Sequence, residues 1–246
     1  MDMKIFLDIH KDMPRQGSGR NEYTKKAFAV IPKLNQPRIL DIGCGPGMQT
    51  IMLAKLSNGE VIGIDIFQQY LDQLKELIKK ENLQKRVKAI NQSMDDIRFP
   101  EEYFDIIWAE GSIFIIGFEK GLKEWKKFLK PNGFLVIHEM AWLKDNPPKE
   151  VSEYWQRVYP DIATIQNNLD IIEKNNYKIL GYFPLPEDAW WNFYYTPLEN
   201  RLKKLRIKYK NNPKAMDLIN EEQLEIDMFR KYNACYGSVF FIMQKI

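Results

Sequence analysis

The sequence predicts an α/β fold in which short buried strands alternate with amphipathic helices. Two observations near the N-terminus lead to this prediction. Apolar residues 38–40 run into a glycine-rich turn at residues 41–47, and an apolar helical segment follows from Met48. A second apolar run, residues 59–66, carries a carboxylate near its end at Asp65. With 246 residues, of which 45% are hydrophobic and 28% charged, the chain can bury a full core in a single domain.

The turn at residues 41–47 has the composition of a nucleotide-binding loop. Glycines let backbone N–H groups approach a ligand closely, and the N-terminus of the following helix points toward it. The spacing differs from that of dinucleotide sites, because Met48 stands where their third glycine would be and Gly47 comes one residue early. Asp41 also places negative charge where a pyrophosphate would lie. Both features favour a cationic ligand over NAD.

S-adenosylmethionine meets these requirements, since it carries an ammonium and a sulfonium and has no phosphate. Its ribose needs an acceptor about 20 residues beyond the glycine loop. Asp65 occupies that place, and a carboxylate there can accept hydrogen bonds from two ribose hydroxyls. The alternative role for Asp65 is a cap for the helix that starts near Phe67.

Four segments in this order resemble the successive motifs of class I S-adenosylmethionine-dependent methyltransferases: DIGCGPG (41–47), GIDI (63–66), FDIIWAEGS (104–112) and LKPNGFLVI (129–137). The resemblance covers roughly residues 37–140 and is greatest to the small-molecule branch, the type 11-like methyltransferases, which includes quinone-biosynthesis and glycine or sarcosine enzymes. It implies a doubly wound, seven-stranded, mostly parallel Rossmann-like sheet with an antiparallel last strand.

The same resemblance implies which residues bind the cofactor. The family often has an aspartate on the adenine amino group at the position of Ser93, so Ser93, Asp95 or backbone groups must take that role here. The cofactor-binding residues expected within the four motifs and this loop are Asp41, Gly43, Gly45, Gly47, Asp65, Ile66, Ser93, Met94 and Glu110.

The remaining elements follow from periodicity. Core-facing residues repeat at helical spacing from Phe67 to about Lys80, and again around Leu122 and Trp125. Residues 131–133 read as a turn, and a further helix is expected around Leu169. Strands are predicted at residues 86–91, 104–109, 134–140, 177–183 and 234–245.

A block of about 48 residues, 186–233, stands where the minimal fold would have a hairpin loop. Loops of that length are normally functional, so we predict a helical cap over the mouth of the active site. The chain is then one methyltransferase domain made of an N-terminal arm and helix (1–36), a Rossmann-like core (37–185), the cap insertion (186–233) and the last strand (234–246).

Residues 14–20, PRQGSGR, precede the core and form a glycine-hinged arm. This arm resembles one in a set of largely uncharacterised bacterial and archaeal methyltransferases, which also share a cap sequence similar to AWW (189–191) with YY (194–195). By this resemblance, Arg15 or Gln16 would meet the methionine carboxylate of the cofactor. The alternative is a flexible lead-in without contact.

Methyl transfer from a sulfonium needs alignment and exclusion of water, and it needs a base only when the acceptor arrives protonated. No metal is implied. Glu139, His138, Glu110 and His10 are the candidate bases at the rim, and Glu139 is the preferred one. Strand alternation allows only one of the two adjacent residues to point at the methyl group.

The sequence says less about the class of molecule that accepts the methyl group than about the cofactor. Aromatic residues are dense in and before the cap, and they either line a pocket for a planar or cationic small molecule or pack as core. These residues are Trp142, Tyr154, Trp155, Tyr159, Trp190, Trp191, Phe193, Tyr194 and Tyr195.

The net charge of +3 is only mildly basic, and the basic segment 201–210 has the spacing of a solvated helix face. We therefore expect a small-molecule substrate rather than nucleic acid. The alternatives are a nucleic-acid or protein methyltransferase and a non-catalytic S-adenosylmethionine-binding module.

Cys44 and Cys235 lie too far apart to suggest a disulfide framework. The N-terminus is too polar for a secretory signal, and no membrane-spanning run is present, so a cytoplasmic protein is expected.

Overall fold

The computed structural model describes residues 2–246. Along this part of the chain, two N-terminal helices are followed by strands that mostly alternate with helices, and a group of successive helices precedes the last strand. The elements are α1 (Met3–Ile9), α2 (Asn21–Phe28), β1 (Arg38–Ile42), α3 (Met48–Ser57), β2 (Glu60–Asp65), α4 (Gln68–Lys80), β3 (Val87–Asn91), β4 (Phe104–Glu110), α5 (Phe118–Trp125), β5 (Leu129–Trp142), α6 (Lys149–Val158), β6 (Ala163–Thr164), α7 (Ile165–Lys174), β7 (Tyr177–Pro184), α8 (Asp188–Trp190), a π-helical turn (Trp191–Tyr195), α9 (Thr196–Lys208), α10 (Pro213–Tyr232) and β8 (Tyr236–Lys245).

The strands form one sheet in the order β3-β2-β1-β4-β5-β8-β7, with the two-residue β6 paired to β5. β1 to β5 pair in parallel, whereas β8 is antiparallel to both β5 and β7. The predicted doubly wound, mostly parallel sheet with an antiparallel last strand is confirmed. The carboxyl ends of β1, β2 and β4 meet at one edge, which is where ligands bind in sheets of this kind.

The parallel strands are buried on both faces of the sheet, which explains why their sequences are continuous apolar runs and do not alternate between apolar and polar residues. One core lies on the α5 and α7 face of the sheet, around Ile107 and Phe241. The other lies on the α3 and α4 face, around Trp108 and Leu74. Together these two cores hold the carboxyl edge of the parallel strands rigidly.

A third core lies outside the sheet and belongs to the cap. It includes Trp190, Tyr195 and Phe229 from the cap, together with Ile5 and Ile9 of α1. The N-terminal helix is therefore packed into the same apolar cluster as the cap helices, because its two buried isoleucines have no other core to join.

Several local expectations differ from the structure. The turn expected at residues 131–133 lies inside β5, because Leu129 already pairs with Phe104 and the register shifts before Phe134 pairs with Ile106. The expected turn forms a bulge within β5, where Asn132 has a φ of 60°. Helix α6 and strand β6 were not predicted. The two-residue β6 exists only through its pairing with β5, whereas the buried residues Val151, Tyr154 and Trp155 of α6 do repeat at helical spacing.

The basic segment 201–210 lies mostly in α9, with Leu202 and Leu205 buried. Arg201 donates to the carbonyl oxygen of Asp8, and Lys208 donates to its carboxylate at 2.5 Å. Part of the basic charge therefore attaches α9 to α1. Among residues 2–246, no helix has both the length and the apolar character needed to cross a membrane.

Candidate functional site

The glycine loop between β1 and α3 has a backbone conformation that favours glycine. Gly43, Gly45 and Gly47 have φ values of 69°, 52° and 94°, in the region where a Cβ is strained. A Cβ on Gly43 would lie 2.5 Å from the Cβ of Ser112. The backbone N–H of Gly43 donates to the carbonyl of Ile64 at 2.9 Å, which joins the loop to the end of β2.

Asp65 ends β2 and contacts the glycine loop. Its Oδ2 accepts from the N–H of Gly45 at 2.9 Å, and its Oδ1 accepts from the N–H of Phe67 at 2.9 Å. The second contact lies at the start of α4, as expected of the alternative capping role. Burial raises the pKa of Asp65, although these N–H groups oppose the shift. Each carboxylate oxygen can accept a further hydrogen bond.

A cavity of about 370 Å³ opens at this edge of the sheet. Its walls come from the glycine loop, the ends of β2 and β4, the arm, α1, α4 and the cap. The predicted cofactor-binding residues that line it are Arg15, Gln16, Gly43, Gly45, Asp65, Ile66, Ser93, Met94 and Glu110.

Asp41 and Gly47, also predicted to bind the cofactor, do not line this cavity. Asp41 is fully buried, and its Oδ2 accepts from the Thr50 hydroxyl at 2.5 Å. Burial raises the pKa of Asp41 to about 7, against the effect of the Thr50 hydrogen bond. Gly47 precedes α3 and packs against Leu74. Both residues therefore support the loop from behind.

Arg15 and Glu110 form a buried ion pair at the wall of the cavity. Arg15 Nη2 lies 2.5 Å from Glu110 Oε2, and both side chains are almost inaccessible to solvent. Glu110 Oε1 accepts from the Thr24 hydroxyl at 2.7 Å and from the Trp108 indole at 2.9 Å. Burial alone would raise the pKa of Glu110, but the positive charge of Arg15 holds it below its ordinary value. Among residues 2–246, Arg15 Nη1 is buried without a hydrogen-bond partner.

Other arm residues are also attached to the core. Gln16 donates to the carbonyl of His10 and accepts from the Tyr70 hydroxyl, each at 3.1 Å. Ser18 Oγ lies 2.8 Å from Ser238 Oγ, on β8. The arm thus lies across the carboxyl edge of the sheet, between the glycine loop and the cap.

The two predicted catalytic residues, His138 and Glu139, lie behind the cavity wall and do not line it. His138 stacks on Phe240 and lies 3.4 Å from Ser18 Oγ, and burial lowers its pKa to about 4. Glu139 accepts from the backbone N–H of Met140, and burial raises its pKa to about 8. The catalytic role of these two residues stays a prediction.

The cap supplies three lining residues that sequence reasoning missed or left open: Tyr194, Glu222 and Glu225. The other aromatic residues of the cap region do not line the cavity. A signal for Glu222 was present, because it stands in the apolar stripe between Ile219 and Ile226, which are three residues before it and four after it. A carboxylate at a core-facing position requires a specific partner.

Comparison with known proteins identifies a methyltransferase domain within the chain. Residues 39–133 match the family described as a methyltransferase domain. The chain carries a class I S-adenosylmethionine-dependent methyltransferase domain. The matched range begins in β1 and ends in β5, so it contains the glycine loop, Asp65 and Glu110. S-adenosylmethionine is the cofactor of this family, as the motifs predicted.

Relatives of this methyltransferase domain include enzymes named for small molecules. Phosphoethanolamine N-methyltransferase of Plasmodium falciparum is 28% identical over 214 residues, which cover 84% of this chain and 75% of that protein. Demethylmenaquinone methyltransferase of Lactobacillus johnsonii is 29% identical over 174 residues, 66% of each protein. A methyltransferase of Geobacter sulfurreducens, solved with S-adenosylhomocysteine, superposes with a TM-score of 0.84 at 17% identity, covering 99% of this chain and 98% of that one. That likeness shows the fold.

Proposed function

We propose that this protein transfers the methyl group of S-adenosylmethionine to a small-molecule acceptor by in-line displacement inside the cavity. The observation that carries the proposal is the enclosure of the site: the methyltransferase domain forms one side, and the arm and cap form the other. A volume of about 370 Å³ lies near the lower end of the roughly 300–1,000 Å³ typical of small-molecule sites. The two named relatives also act on small molecules.

The nucleoside part of the cofactor would lie against β2 and β3. Asp65 would accept from the ribose hydroxyls through its free lone pairs. Ile66, which is 57% exposed although apolar, would gain from contact with the adenine ring. Ser93 and Met94, at the exit of β3, would contact the adenine edge through polar and backbone groups.

The methionine part would lie against the arm. Arg15 Nη1 is a buried donor without a partner in the described chain, and such a group is expensive to leave unsatisfied. A carboxylate of the cofactor would satisfy it, while Glu110 holds the other side of the same guanidinium. Gln16 would support this position through its hydrogen bonds to α1 and α4.

Closure of arm and cap over the cavity would exclude water, which strengthens electrostatic interactions within it. The sulfonium already activates the methyl carbon, so the protein needs to supply alignment of the acceptor atom with the carbon–sulfur bond. His138 and Glu139 play no part in this proposal, because neither lines the cavity.

Isothermal titration with S-adenosylmethionine and S-adenosylhomocysteine tests the cofactor site. We expect micromolar binding to the wild type, at least tenfold weaker binding to Asp65→Ala, and unchanged binding to Asp72→Ala, which alters an exposed carboxylate on α4. Absence of binding to the wild type would contradict the proposal.

A methyl-transfer screen over amines, phenols and quinones then tests catalysis. Binding of the cofactor without transfer to any acceptor class would favour a non-catalytic binding module. Transfer to a nucleic acid, with affinity that falls steeply as salt rises, would favour the macromolecular alternative.

A further inference from the structure

Within residues 2–246, two carboxyl groups of the cap lie at the cavity wall without a lysine or arginine partner. Glu222 and Glu225 are three residues apart on α10, so both side chains face the same way. Glu225 Oε1 accepts from the Tyr195 hydroxyl at 3.0 Å. Glu222 Oε2 lies 3.7 Å from His10 Nε2, but burial lowers the pKa of His10, which disfavours the charged form of its ring. A buried carboxylate without a countercharge is costly.

Carboxyl groups outnumber cationic side chains at the cavity wall. The lining includes five carboxyl groups, at Asp65, Asp95, Glu110, Glu222 and Glu225. In the part of the chain that the structure describes, Arg15 is the only lysine or arginine that lines it, and Arg15 is paired with Glu110, while Asp95 is paired with Lys120 from outside the lining. A bound cation would favour the ionised form of the remaining carboxyls and would be attracted to them.

A cap tyrosine lies at the same place. Tyr194 lines the cavity and is only 6% exposed. Burial, followed by the nearby charges of Glu225 and Glu222, raises the pKa of this hydroxyl well above its ordinary value. The rings of Phe6 and Tyr70 line the same cavity. Aromatic faces and carboxylates together are the groups that bind ammonium ions in proteins.

Most of these groups lie outside residues 39–133, the range that matches the methyltransferase domain family. Glu222, Glu225 and Tyr194 belong to the cap and Phe6 to α1, whereas the matched residues 39–133 include the glycine loop and Asp65. Of the lining residues outside the match, Arg15 and Gln16 are the ones proposed above for the cofactor, which leaves the wall formed by the cap and α1 for the acceptor. We infer that this wall, formed by Glu222, Glu225, Tyr194 and Phe6, is an ammonium subsite that selects an amine as the methyl acceptor. The inference rests on the proposed function.

The subsite also discriminates against anionic substrates. A phosphate or carboxylate placed at this wall would meet two carboxyl groups, and the described residues that line it offer no free cation. Like charges across a binding site disfavour the wrong ligand strongly. Phosphoethanolamine, for which one relative is named, carries a phosphate, so we expect the acceptor here to be an amine without one.

Methyl transfer to such an amine can be written with these residues so that every bond and proton is accounted for. The positive charge of a bound ammonium R–NH₃⁺ favours the ionised form of Glu222. The ammonium then gives one proton to this carboxylate, which leaves a neutral amine with a free electron pair. That pair forms the new N–C bond to the methyl group as the C–S bond breaks, and the electrons of the broken bond stay on sulfur as S-adenosylhomocysteine. Burial and the charge of Glu225 raise the pKa of Glu222 to about 8, and a pKa near the working pH suits proton transfer.

Titration with matched aromatic probes tests the inference. The probes are benzylamine and benzyltrimethylammonium as cations, benzyl alcohol as the neutral analogue and benzoate as the anion, each with and without saturating S-adenosylhomocysteine. We expect both cations to bind the wild type at least tenfold more tightly than the alcohol, and benzoate to bind more weakly still. Glu222→Gln and Glu225→Gln should each lose most of this preference. Glu221→Gln, at an exposed neighbour on the same helix, should retain it.

The outcomes separate this inference from the proposed function. If S-adenosylhomocysteine binds the wild type but the cations and the alcohol bind equally, the amine subsite is wrong and the cofactor site stands. If the two glutamine variants weaken the binding of S-adenosylhomocysteine as much as the binding of the cations, the carboxyl pair belongs to the cofactor and the inference is overturned.

If either glutamine variant fails to fold by circular dichroism, Tyr194→Phe serves in its place, because it removes only the hydroxyl. It should weaken the cations and leave S-adenosylhomocysteine binding within threefold of wild type, and unchanged binding of the cations would contradict the inference.

Discussion

At the scale of single residues, burial affects two neighbours on β5 in opposite directions. His138 and Glu139 point to opposite faces of the strand, as alternation requires, and both are almost completely buried. Desolvation disfavours the charged form of each, so it lowers the pKa of His138 to about 4 and raises that of Glu139 to about 8. Both side chains are therefore neutral at pH 7, which suits a structural position.

The raised pKa of Glu139 gives a pH-dependent prediction. A carboxyl whose folded pKa lies above its unfolded value stabilises the protein below pH 4.5 and loses that contribution as the pH rises through 8. Relative to wild type, the free energy of unfolding of Glu139→Gln should therefore rise by a few kcal/mol between pH 5 and pH 8.5. Urea denaturation across this range measures the difference.

A matched variant controls for charge removal in general. Glu119→Gln changes an exposed carboxyl on α5 whose pKa is lowered by its hydrogen bond to Lys123. Its stability relative to wild type should not rise with pH in this way. Parallel pH curves for wild type and Glu139→Gln would contradict the prediction.

At the scale of elements, one side chain attaches the N-terminal helix to the cap. Asp8 of α1 accepts from Lys208 at 2.5 Å, from the Tyr209 hydroxyl at 2.8 Å and from Arg201 at 3.2 Å. Ile5 and Ile9 on the same helix are buried in the cap core. A seven-residue helix is too short to be stable alone, so these contacts maintain it.

We therefore predict that Asp8→Asn loosens α1. Hydrogen–deuterium exchange of amides 3–9 should become about tenfold faster, which corresponds to about 1.4 kcal/mol of local opening free energy. Amides of β4 should not change. Asp227→Asn, at an exposed carboxylate on α10 that pairs with Arg230, serves as the control, and equal effects of the two variants would refute a specific role for Asp8.

At the scale of the whole molecule, the cavity is formed by segments that are far apart in sequence. The arm, the ends of β2 and β4, and α10 all line it. A ligand held between these segments binds only the folded protein, so it stabilises the fold by mass action. The domain and its cap should therefore respond to the cofactor together.

The corresponding prediction is a thermal shift. At a concentration one hundred times its Kd, S-adenosylhomocysteine should add about 2.7 kcal/mol to the stability of the wild type. For a chain of this size that raises Tm by about 5–10 °C, measurable by differential scanning fluorimetry. Asp65→Ala at the same ligand concentration should show a much smaller shift. An unchanged Tm in the wild type would contradict the assigned cofactor site.

The core fold and one side of the site could be predicted because their signals are local. The glycine loop, Asp65 and the parallel strands follow from spacing within segments of about ten residues, and the order of four motifs identified the family. The surroundings of the two predicted bases could not be predicted in the same way. His138 and Glu139 stand at the expected strand end, but Phe240 and the arm cover one and the turn around Phe114 covers the other.

By itself, then, the sequence determined the sheet, the glycine loop and the cofactor class, because backbone conformation and strand burial depend on nearby residues. Tertiary structure alone decided which side chains share the cavity. Arg15 meets Glu110 across 95 positions of chain, and His10 meets Glu222 across more than 200. Such pairings depend on how the cap packs on the domain, and no local pattern encodes a contact between segments that only the folded core brings together.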